Sequence, residues 1–149
     1  MRYLITFLLT SMFLFGYQKG DVVEPSIAQK LDLKKDKIYV IDFFASWCSS
    51  CKKEMPLLIK ASTKMDKSKF ELIGVDVDKK ISEGVAFQKK YNISFRVVND
   101  PKNEIIKAFD PIGMPSLYVI KNGKVVDFLF GAKDNIDELI LDELKELSQ

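Results

Sequence analysis

Short apolar runs alternate with longer amphipathic stretches along most of the chain. Three of these runs, at residues 38–44, 70–77 and 95–98, are rich in β-branched and aromatic residues. The first is nearly continuous in apolarity, which is typical of a strand that is buried on both faces of a parallel sheet. Two further apolar runs, at residues 116–121 and 124–130, are also predicted to be strands.

The last two predicted strands are separated only by Asn122 and Gly123. Both central positions of a type I′ turn need a positive φ, and asparagine and glycine adopt this conformation most readily. An Asn-Gly pair between two apolar runs therefore predicts a β-hairpin, in which the two strands are antiparallel.

The stretch at residues 48–65 has the periodicity of an amphipathic helix. Pro56 lies inside it and should kink it, because proline removes one backbone hydrogen bond. The apolar face is predicted to carry Met55, Leu58, Ile59 and Ser62, and the wet face Lys52, Lys53, Lys60 and Lys64.

Three more helices follow from the same kind of pattern. Ser82 and Asp134 are suited to be N-caps, and Asn92 is suited to end a helix. The order β-α-β-α-β-α-β-β-α predicts an α/β fold, with a central mixed and mostly parallel sheet that has helices on both faces. The hairpin adds an antiparallel strand at its C-terminal end. The three helices are predicted at residues 82–91, 103–109 and 134–147.

The first 20 residues have the composition of a targeting segment. Arg2 provides a positive start, and residues 3–17 are almost wholly apolar, which suits a signal peptide better than a spanning helix of about 20 residues. Cleavage after Gly16 is one expectation, and retention as a membrane anchor is the alternative. Both place the domain in the periplasm or cell envelope of a bacterium. The predicted division is a signal peptide or anchor at 1–20, a linker or entry segment at 21–35 and the functional domain at 36–149.

Composition excludes several kinds of function. The chain of 149 residues has a net charge of +2 and no basic stripe with base-stacking aromatics, so nucleic acid is not an expected partner. It contains no histidine, which excludes histidine-based triads and histidine-ligated metal sites. A hydrophobic fraction of 47% allows a core that needs no disulfide to fold.

Cys48 and Cys51 are the only cysteines in the sequence, and they lie where a predicted strand turns into a predicted helix. Unpaired N–H groups and the helix dipole at such a position favour a thiolate at Cys48. Cys51 lies one turn deeper on the same face and can attack a mixed disulfide formed at Cys48. The pattern therefore predicts a redox pair.

Two other interpretations of the cysteine pair stay open at this point. A structural disulfide is one, although a bridge over so short a loop removes little unfolded-state entropy. A soft-metal site is the other, in which Met55, Met65 or Met114 could assist the cysteines in holding Cu(I). With no third cysteine and no histidine, a metal site is not expected, and no cofactor is predicted.

The stretch around the cysteines resembles a known family. Residues 42–52, DFFASWCSSCK, resemble the active-site stretch of thioredoxins, and residues 51–56, CKKEMP, are even more similar to the membrane-tethered TlpA/ResA/CcmG branch. The resemblance extends over about residues 36–147. It implies a thioredoxin fold and a thiol–disulfide oxidoreductase.

The resemblance also implies roles for individual residues. Cys48 matches the exposed attacking cysteine, and Cys51 matches the resolving one. Asp42 matches the buried carboxylate that takes the proton of the second cysteine, and Glu54 matches an acidic residue near the pair. The alternatives are an exposed strand end for Asp42 and a solvated helix position for Glu54.

A second part of the site is implied 63 positions after Cys51, where Met114 and Pro115 match the family's cis-proline loop. In that loop the backbone of Met114 would pair with an extended substrate segment. Trp47 is expected to shield the disulfide. Gly131 matches a glycine after the last strand.

These residues together predict an exported oxidoreductase that exchanges disulfides with cysteine pairs in envelope proteins. The absence of histidine between the cysteines favours a reductant, with cytochrome c maturation as one possible setting. A membrane-embedded thiol–disulfide protein is the expected electron donor, and contact with the membrane is expected only through the N-terminal segment. The alternatives are a copper-binding or copper-delivery module and a catalytically silent adaptor on the same fold.

Overall fold

The computed structural model describes residues 16–149, so the predicted targeting segment up to residue 15 lies outside the described residues. The described part forms one five-stranded sheet with the strand order β3-β2-β1-β4-β5. Strand β1 is central, and the cysteine pair follows it directly. The strands are β1 Ile38–Phe44, β2 Phe70–Asp76, β3 Arg96–Asn99, β4 Ser116–Lys121 and β5 Lys124–Phe130.

The sheet is mixed, as predicted. Strands β3, β2 and β1 are parallel, whereas β4 is antiparallel to both β1 and β5. Asn122 and Gly123 join β4 to β5 with φ angles of 53° and 74°, which confirms the predicted turn. All seven residues of β1 are buried, because β1 has a hydrogen-bonded neighbour on each side and helices over each face.

Helices cover both faces of the sheet. Ile38 and Val40 in β1 pack with α2 and α5 on one face of the sheet. Tyr39, Ile41 and Phe43 pack with α1, α3 and α4 on the other face. A cluster of edge-to-face and tilted rings, formed by Phe43, Phe109 and Tyr118, fills the second of these layers. The helices are α1 Pro25–Lys30, α2 Ser49–Lys64, α3 Ile81–Tyr91, α4 Glu104–Phe109 and α5 Ile136–Leu147.

Both predicted N-caps, Ser82 and Asp134, are wrong, whereas the predicted helix end at Asn92 is confirmed. The N–H groups of Glu83 and Gly84 bond to the Lys80 carbonyl, so helix α3 begins earlier and Ser82 lies inside it. Helix α5 begins after Asn135, whose carbonyl accepts the first helical hydrogen bonds, so Asp134 lies outside the cap. Asn92 adopts the left-handed conformation that ends α3.

The segment predicted as a linker or entry, residues 21–35, packs against the sheet. Val23, Ile27 and Leu31 are each at most 5% exposed and belong to the core, and α1 is the predicted helical entry. An isolated bridge joins Val22 to Lys124 in β5. Across residues 16–149, no helix combines the length and the apolar composition that a membrane span requires.

Candidate active site

The cysteine pair lies at the turn between β1 and α2. Cys48 is the N-cap of α2, and its Sγ accepts a hydrogen bond from the Cys51 N–H at 3.2 Å. The two sulfurs form a disulfide with an S–S distance of 2.07 Å and a Cα–Cα distance of 5.3 Å. The structure is therefore that of the oxidised pair, with Cys48 at the positive end of a 16-residue helix.

The two cysteines differ in their exposure to solvent. Cys48 is 8% exposed and Cys51 is 2% exposed, so only the first offers an edge to a reaction partner. Cys48, which was expected to be the exposed cysteine, is thus only slightly exposed in the oxidised state. Trp47 was expected to shield the disulfide, and its own side chain is 65% exposed to solvent. The Trp47 side chain therefore offers a large apolar surface next to Cys48.

The loop before β4 reaches the cysteine turn from the other side. The bond between Met114 and Pro115 is cis, as the resemblance implied. Ser116, the next residue, pairs with Phe43 near the end of β1, and Met114 packs against the core cluster that contains both cysteines. The Pro115 carbonyl accepts a hydrogen bond from the N–H of Gly131 at 2.9 Å, which ties this loop to the end of β5.

A groove of about 540 Å³ is lined by Trp47, the residue before Cys48, and by Met114, the residue before the cis-proline. Val77 and Ile106 contribute further apolar surface, and charged side chains lie along its rim. An extended peptide placed here would pass both Cys48 and the cis-proline loop. The exposed charged residues are Lys79, Lys80 and Glu83, and the lining also includes the buried Asp78.

Asp42 is a buried carboxyl group in the middle of the sheet. It is 1% exposed and pairs with Gly74 in β2 and Leu117 in β4, so the alternative of an exposed strand end is wrong. Within residues 16–149, neither of its oxygens has a hydrogen-bond partner. Burial, and to a lesser degree the charge of Glu54, raises the pKa of Asp42 well above its ordinary value.

Glu54 is a second buried carboxyl group, three residues after Cys51 on the same side of α2. It is 1% exposed, so the alternative of a solvated helix position is wrong. Its oxygens also have no hydrogen-bond partner in the described part of the chain. Burial raises the pKa of Glu54 from 4.5 to about 7, although the positive charge of Lys133 opposes the rise.

One pair of contacts at the site was not predicted from the sequence. The Asp78 carboxylate accepts hydrogen bonds from both the backbone N–H and the hydroxyl of Ser46, two residues before Cys48. The sequence does contain a signal for this contact, because Asp78 follows β2 just as Ser46 follows β1. Parallel neighbouring strands bring their carboxyl ends to the same edge of a sheet, so the two residues are expected to lie close together.

Among residues 16–149, no group of three or more histidine, cysteine, aspartate or glutamate side chains could hold a metal ion. The described site combines the cysteine pair, two buried carboxyl groups and an apolar groove. Such an arrangement fits thiol–disulfide exchange, which needs a thiolate, a resolving thiol and a proton acceptor.

Comparisons with known proteins agree with this chemistry. Residues 20–128 match the model of the AhpC/TSA family. The thiol-disulfide oxidoreductase ResA of Bacillus thuringiensis subsp. konkukian (strain 97-27) is 32% identical over 124 residues, which cover 80% of this chain and 72% of that protein. ResA of Bacillus subtilis (strain 168) is 28% identical over 113 residues, which cover 74% of this chain and 63% of that protein.

Solved structures show the same fold at lower sequence identity. A protein from Chlorobium tepidum, assigned as the thiol:disulfide interchange protein DsbE, superposes with a TM-score of 0.74 at 23% identity, over 88% of this chain and 98% of that one. StoA from Bacillus subtilis superposes with a TM-score of 0.66 at 24% identity, over 75% of this chain and 84% of that one. Both likenesses establish the thioredoxin-like arrangement of the sheet and helices.

Proposed function

The chain belongs to the AhpC/TSA family of thioredoxin-like proteins and is a thiol–disulfide oxidoreductase of the ResA type, and we propose that it works outside the cytoplasm as a reductant of cysteine pairs in other proteins. The observation that carries the proposal is the Cys48–Cys51 disulfide at the N-terminus of α2, directly after Trp47, which lines an apolar groove.

The proposed reaction has two exchange steps. The Cys48 thiolate attacks one sulfur of a substrate disulfide, which breaks that bond, forms a mixed disulfide and releases one substrate thiolate. The Cys51 thiolate then attacks the Cys48 sulfur and releases the second substrate thiolate. The substrate gains two electrons, and the protein ends with the Cys48–Cys51 disulfide seen in the structure.

We propose that Glu54 and Asp42 handle the proton of Cys51. Glu54, with a pKa of about 7, can accept a proton near neutral pH, as a general base for thiol deprotonation requires. Burial, and to a lesser degree the charge of Glu54, also raises the pKa of Asp42, so the two carboxyl groups disfavour being ionised together. In this role Glu54 takes the proton of Cys51.

We propose that the substrate segment lies along the groove between Trp47 and Met114. Trp47 supplies an exposed ring next to Cys48, and the backbone of Met114, just before Pro115, supplies β-type pairing. Main-chain pairing does not depend on the substrate's sequence. The groove therefore suits unfolded or partly folded protein segments that carry an accessible disulfide.

The buried carboxyl groups also support the reducing direction. A strong oxidant has a stabilised reduced form, in which a thiolate is favoured. Here Glu54, whose pKa of about 7 leaves it partly ionised near neutral pH, lies in the core three residues after Cys51, and its negative charge disfavours a thiolate at the pair. This stabilises the disulfide relative to the dithiol, which is the property of a reductant. The residues between the cysteines are Ser49 and Ser50. Neither is a histidine, which would favour the oxidising direction.

The cellular setting is proposed from the N-terminal sequence. We propose residues 1–20 as a signal peptide or anchor, 21–35 as the entry segment and 36–149 as the catalytic domain, in the periplasm or cell envelope. A membrane-embedded thiol–disulfide protein would then return electrons to the Cys48–Cys51 pair. Apocytochromes c, whose haem-attachment cysteines react as thiols, are one substrate class that fits a reductant in this compartment.

A trapping experiment tests the proposed reaction. The variant Cys51→Ala should attack a substrate and remain joined to it through Cys48, because the resolving thiol is missing. Insulin serves as the test substrate, and non-reducing electrophoresis followed by mass spectrometry identifies the adduct. The matched control Cys48→Ala retains Cys51, which is 2% exposed, and should form no adduct. Equal trapping by both variants would contradict the assignment of Cys48 as the attacking residue.

A further inference from the structure

The turn that carries Cys48 is held by a carboxylate from the end of the neighbouring strand. The N–H of Ser46 donates to Asp78 Oδ2 at 2.7 Å, and its hydroxyl donates to Asp78 Oδ1 at 2.8 Å. Asp78 is 2% exposed, so water competes little for these bonds. Hydrogen bonds to a carboxylate are about twice as strong as those between neutral groups.

Asp78 is in turn held by a second buried carboxyl group. Its N–H donates to Asp76 Oδ1 at 3.0 Å, and Asp76 Oδ2 accepts from Gln88 Nε2 at 3.1 Å in α3. Gly84, also in α3, leaves room for the carboxyl group, because a Cβ there would lie 1.7 Å from Asp76 Oδ2. A chain of contacts thus runs from α3 through Asp76 and Asp78 to Ser46.

The Ser46 contacts fix a short stretch of backbone that includes Cys48. The N–H of Cys48 donates to the Ala45 carbonyl at 3.1 Å, and the N–H of Val77 donates to the Phe44 carbonyl at 3.0 Å. Trp47, between Ser46 and Cys48, is largely exposed. Within residues 16–149, Asp78 is the one side chain from another element that hydrogen-bonds residues 45–48.

We infer that Asp78 is a positioning residue for the attacking cysteine, that it acts through Ser46, and that Asp76 holds it in place. The inference rests on the proposed role of Cys48. Disulfide exchange requires the attacking sulfur to approach a disulfide in line, and a displacement of about 1 Å can reduce such a rate by up to about 100-fold. The two hydrogen bonds between Ser46 and Asp78 limit such displacements of Cys48, which lies two residues after Ser46.

Variants of the pair separate positioning from other roles. Ser46→Ala removes one hydrogen bond and Asp78→Ala removes both, so we expect disulfide closure after reaction with oxidised glutathione to slow by about 3-fold and about 10-fold. The double variant should be no slower than Asp78→Ala, because the two side chains act as one unit. Ser46→Thr keeps the hydroxyl and should remain close to the unmodified chain.

The chain contains a matched control for these variants. Asp66 accepts hydrogen bonds from the N–H of Ser68 at 3.0 Å and from its hydroxyl at 2.6 Å, in an exposed turn between α2 and β2. This Asp-Ser pair has the same chemistry but lies at the opposite end of β2 from Asp76. Asp66→Ala and Ser68→Ala should therefore leave the closure rate unchanged.

A second readout identifies the cause of any slow closure. Alkylation of reduced Cys48 by iodoacetamide needs a thiolate but no alignment with Cys51 or a substrate. Positioning predicts that alkylation of Ser46→Ala stays within about two-fold of the unmodified chain while closure slows. Equal slowing of both reactions would mean a change in thiolate content and would overturn the inference. Unchanged closure with lowered stability would also overturn it, by showing a purely structural role.

The same experiment keeps this inference separate from the proposed function. Closure and alkylation need no protein substrate, so both can be measured even if the unmodified chain fails to reduce insulin. That failure would count against the proposed function alone. If Asp78→Ala does not fold, Ser46→Ala carries the test by itself, since it removes only a half-buried hydroxyl.

Discussion

The variant Glu54→Gln should change how the stability of the oxidised protein depends on pH. Glu54 is 1% exposed and its pKa is raised from 4.5 to about 7, because burial disfavours its charged form. A carboxyl group with a raised pKa is compatible with the fold while it is protonated. The contribution of Glu54 to the free energy of unfolding is therefore fully present below about pH 4.5. It is lost as the pH rises through about 7, because ionisation of Glu54 favours the unfolded chain.

The size of the effect follows from this pKa rise. At 1.36 kcal/mol for each ten-fold change in the dissociation constant, a rise from 4.5 to about 7 corresponds to roughly 3 kcal/mol above pH 7. Between pH 5 and pH 8 the free energy of unfolding should fall by about 2.5 kcal/mol through Glu54. Glutamine has nearly the same shape and no charge, so Glu54→Gln should lose this part of the pH dependence.

Urea denaturation at pH 5, 6, 7 and 8 measures the effect, with the cysteines kept oxidised throughout. The matched control Glu146→Gln replaces an exposed glutamate at the end of α5 and should follow the unmodified chain at each pH. Glu54→Gln should be the more stable protein at pH 8 and nearly equal to the unmodified chain at pH 5. Parallel curves for Glu54→Gln and the unmodified chain would refute the view that Glu54 is buried without a partner.

Three further predictions concern other parts of the structure. Gly84→Ala should reduce the free energy of unfolding by about 1–3 kcal/mol in urea, because its Cβ would lie 1.7 Å from Asp76 Oδ2, whereas Gly113→Ala, with open space around it, should have little effect. Trp47→Ala should raise the KM for insulin reduction with a change in stability below about 0.5 kcal/mol, since the ring is 65% exposed, and Val22→Ala, also exposed but remote, should leave KM unchanged. Asp42→Asn should stabilise the oxidised protein increasingly as the pH rises, because burial raises the pKa of Asp42, and a pH-independent effect in urea would contradict this.

The strands were predictable because their local signals agree with their tertiary environment. The apolar run at residues 38–44 needs burial on both faces, and the fold places it at the centre of the sheet. Asn122 and Gly123 need positive φ values and adopt them. The position of the cysteine pair followed from the same agreement, since a buried strand ends just before it and a helix begins just after it.

The features that sequence reasoning missed depend on contacts between distant residues. Glu54 was identified as an acidic residue near the pair, but the lysines beside it in sequence left a solvated position open, and only the closing of the fold over α2 decides its burial. Asp78 is 32 positions away from Ser46, and its contact exists only because β1 and β2 are parallel neighbours. The cap at Lys80 was missed for a different reason: its backbone carbonyl supplies the first bonds, so no side-chain signal marks it.

The reduction potential of the Cys48–Cys51 pair decides whether this pair acts as a reducing dithiol. Equilibration with defined ratios of reduced and oxidised glutathione, followed by alkylation and mass spectrometry, gives the potential. A reductant should have a value near that of thioredoxin, about −270 mV, because the partly ionised Glu54 disfavours the thiolate form of the pair. A value near that of the strong oxidants, about −120 mV, would contradict it.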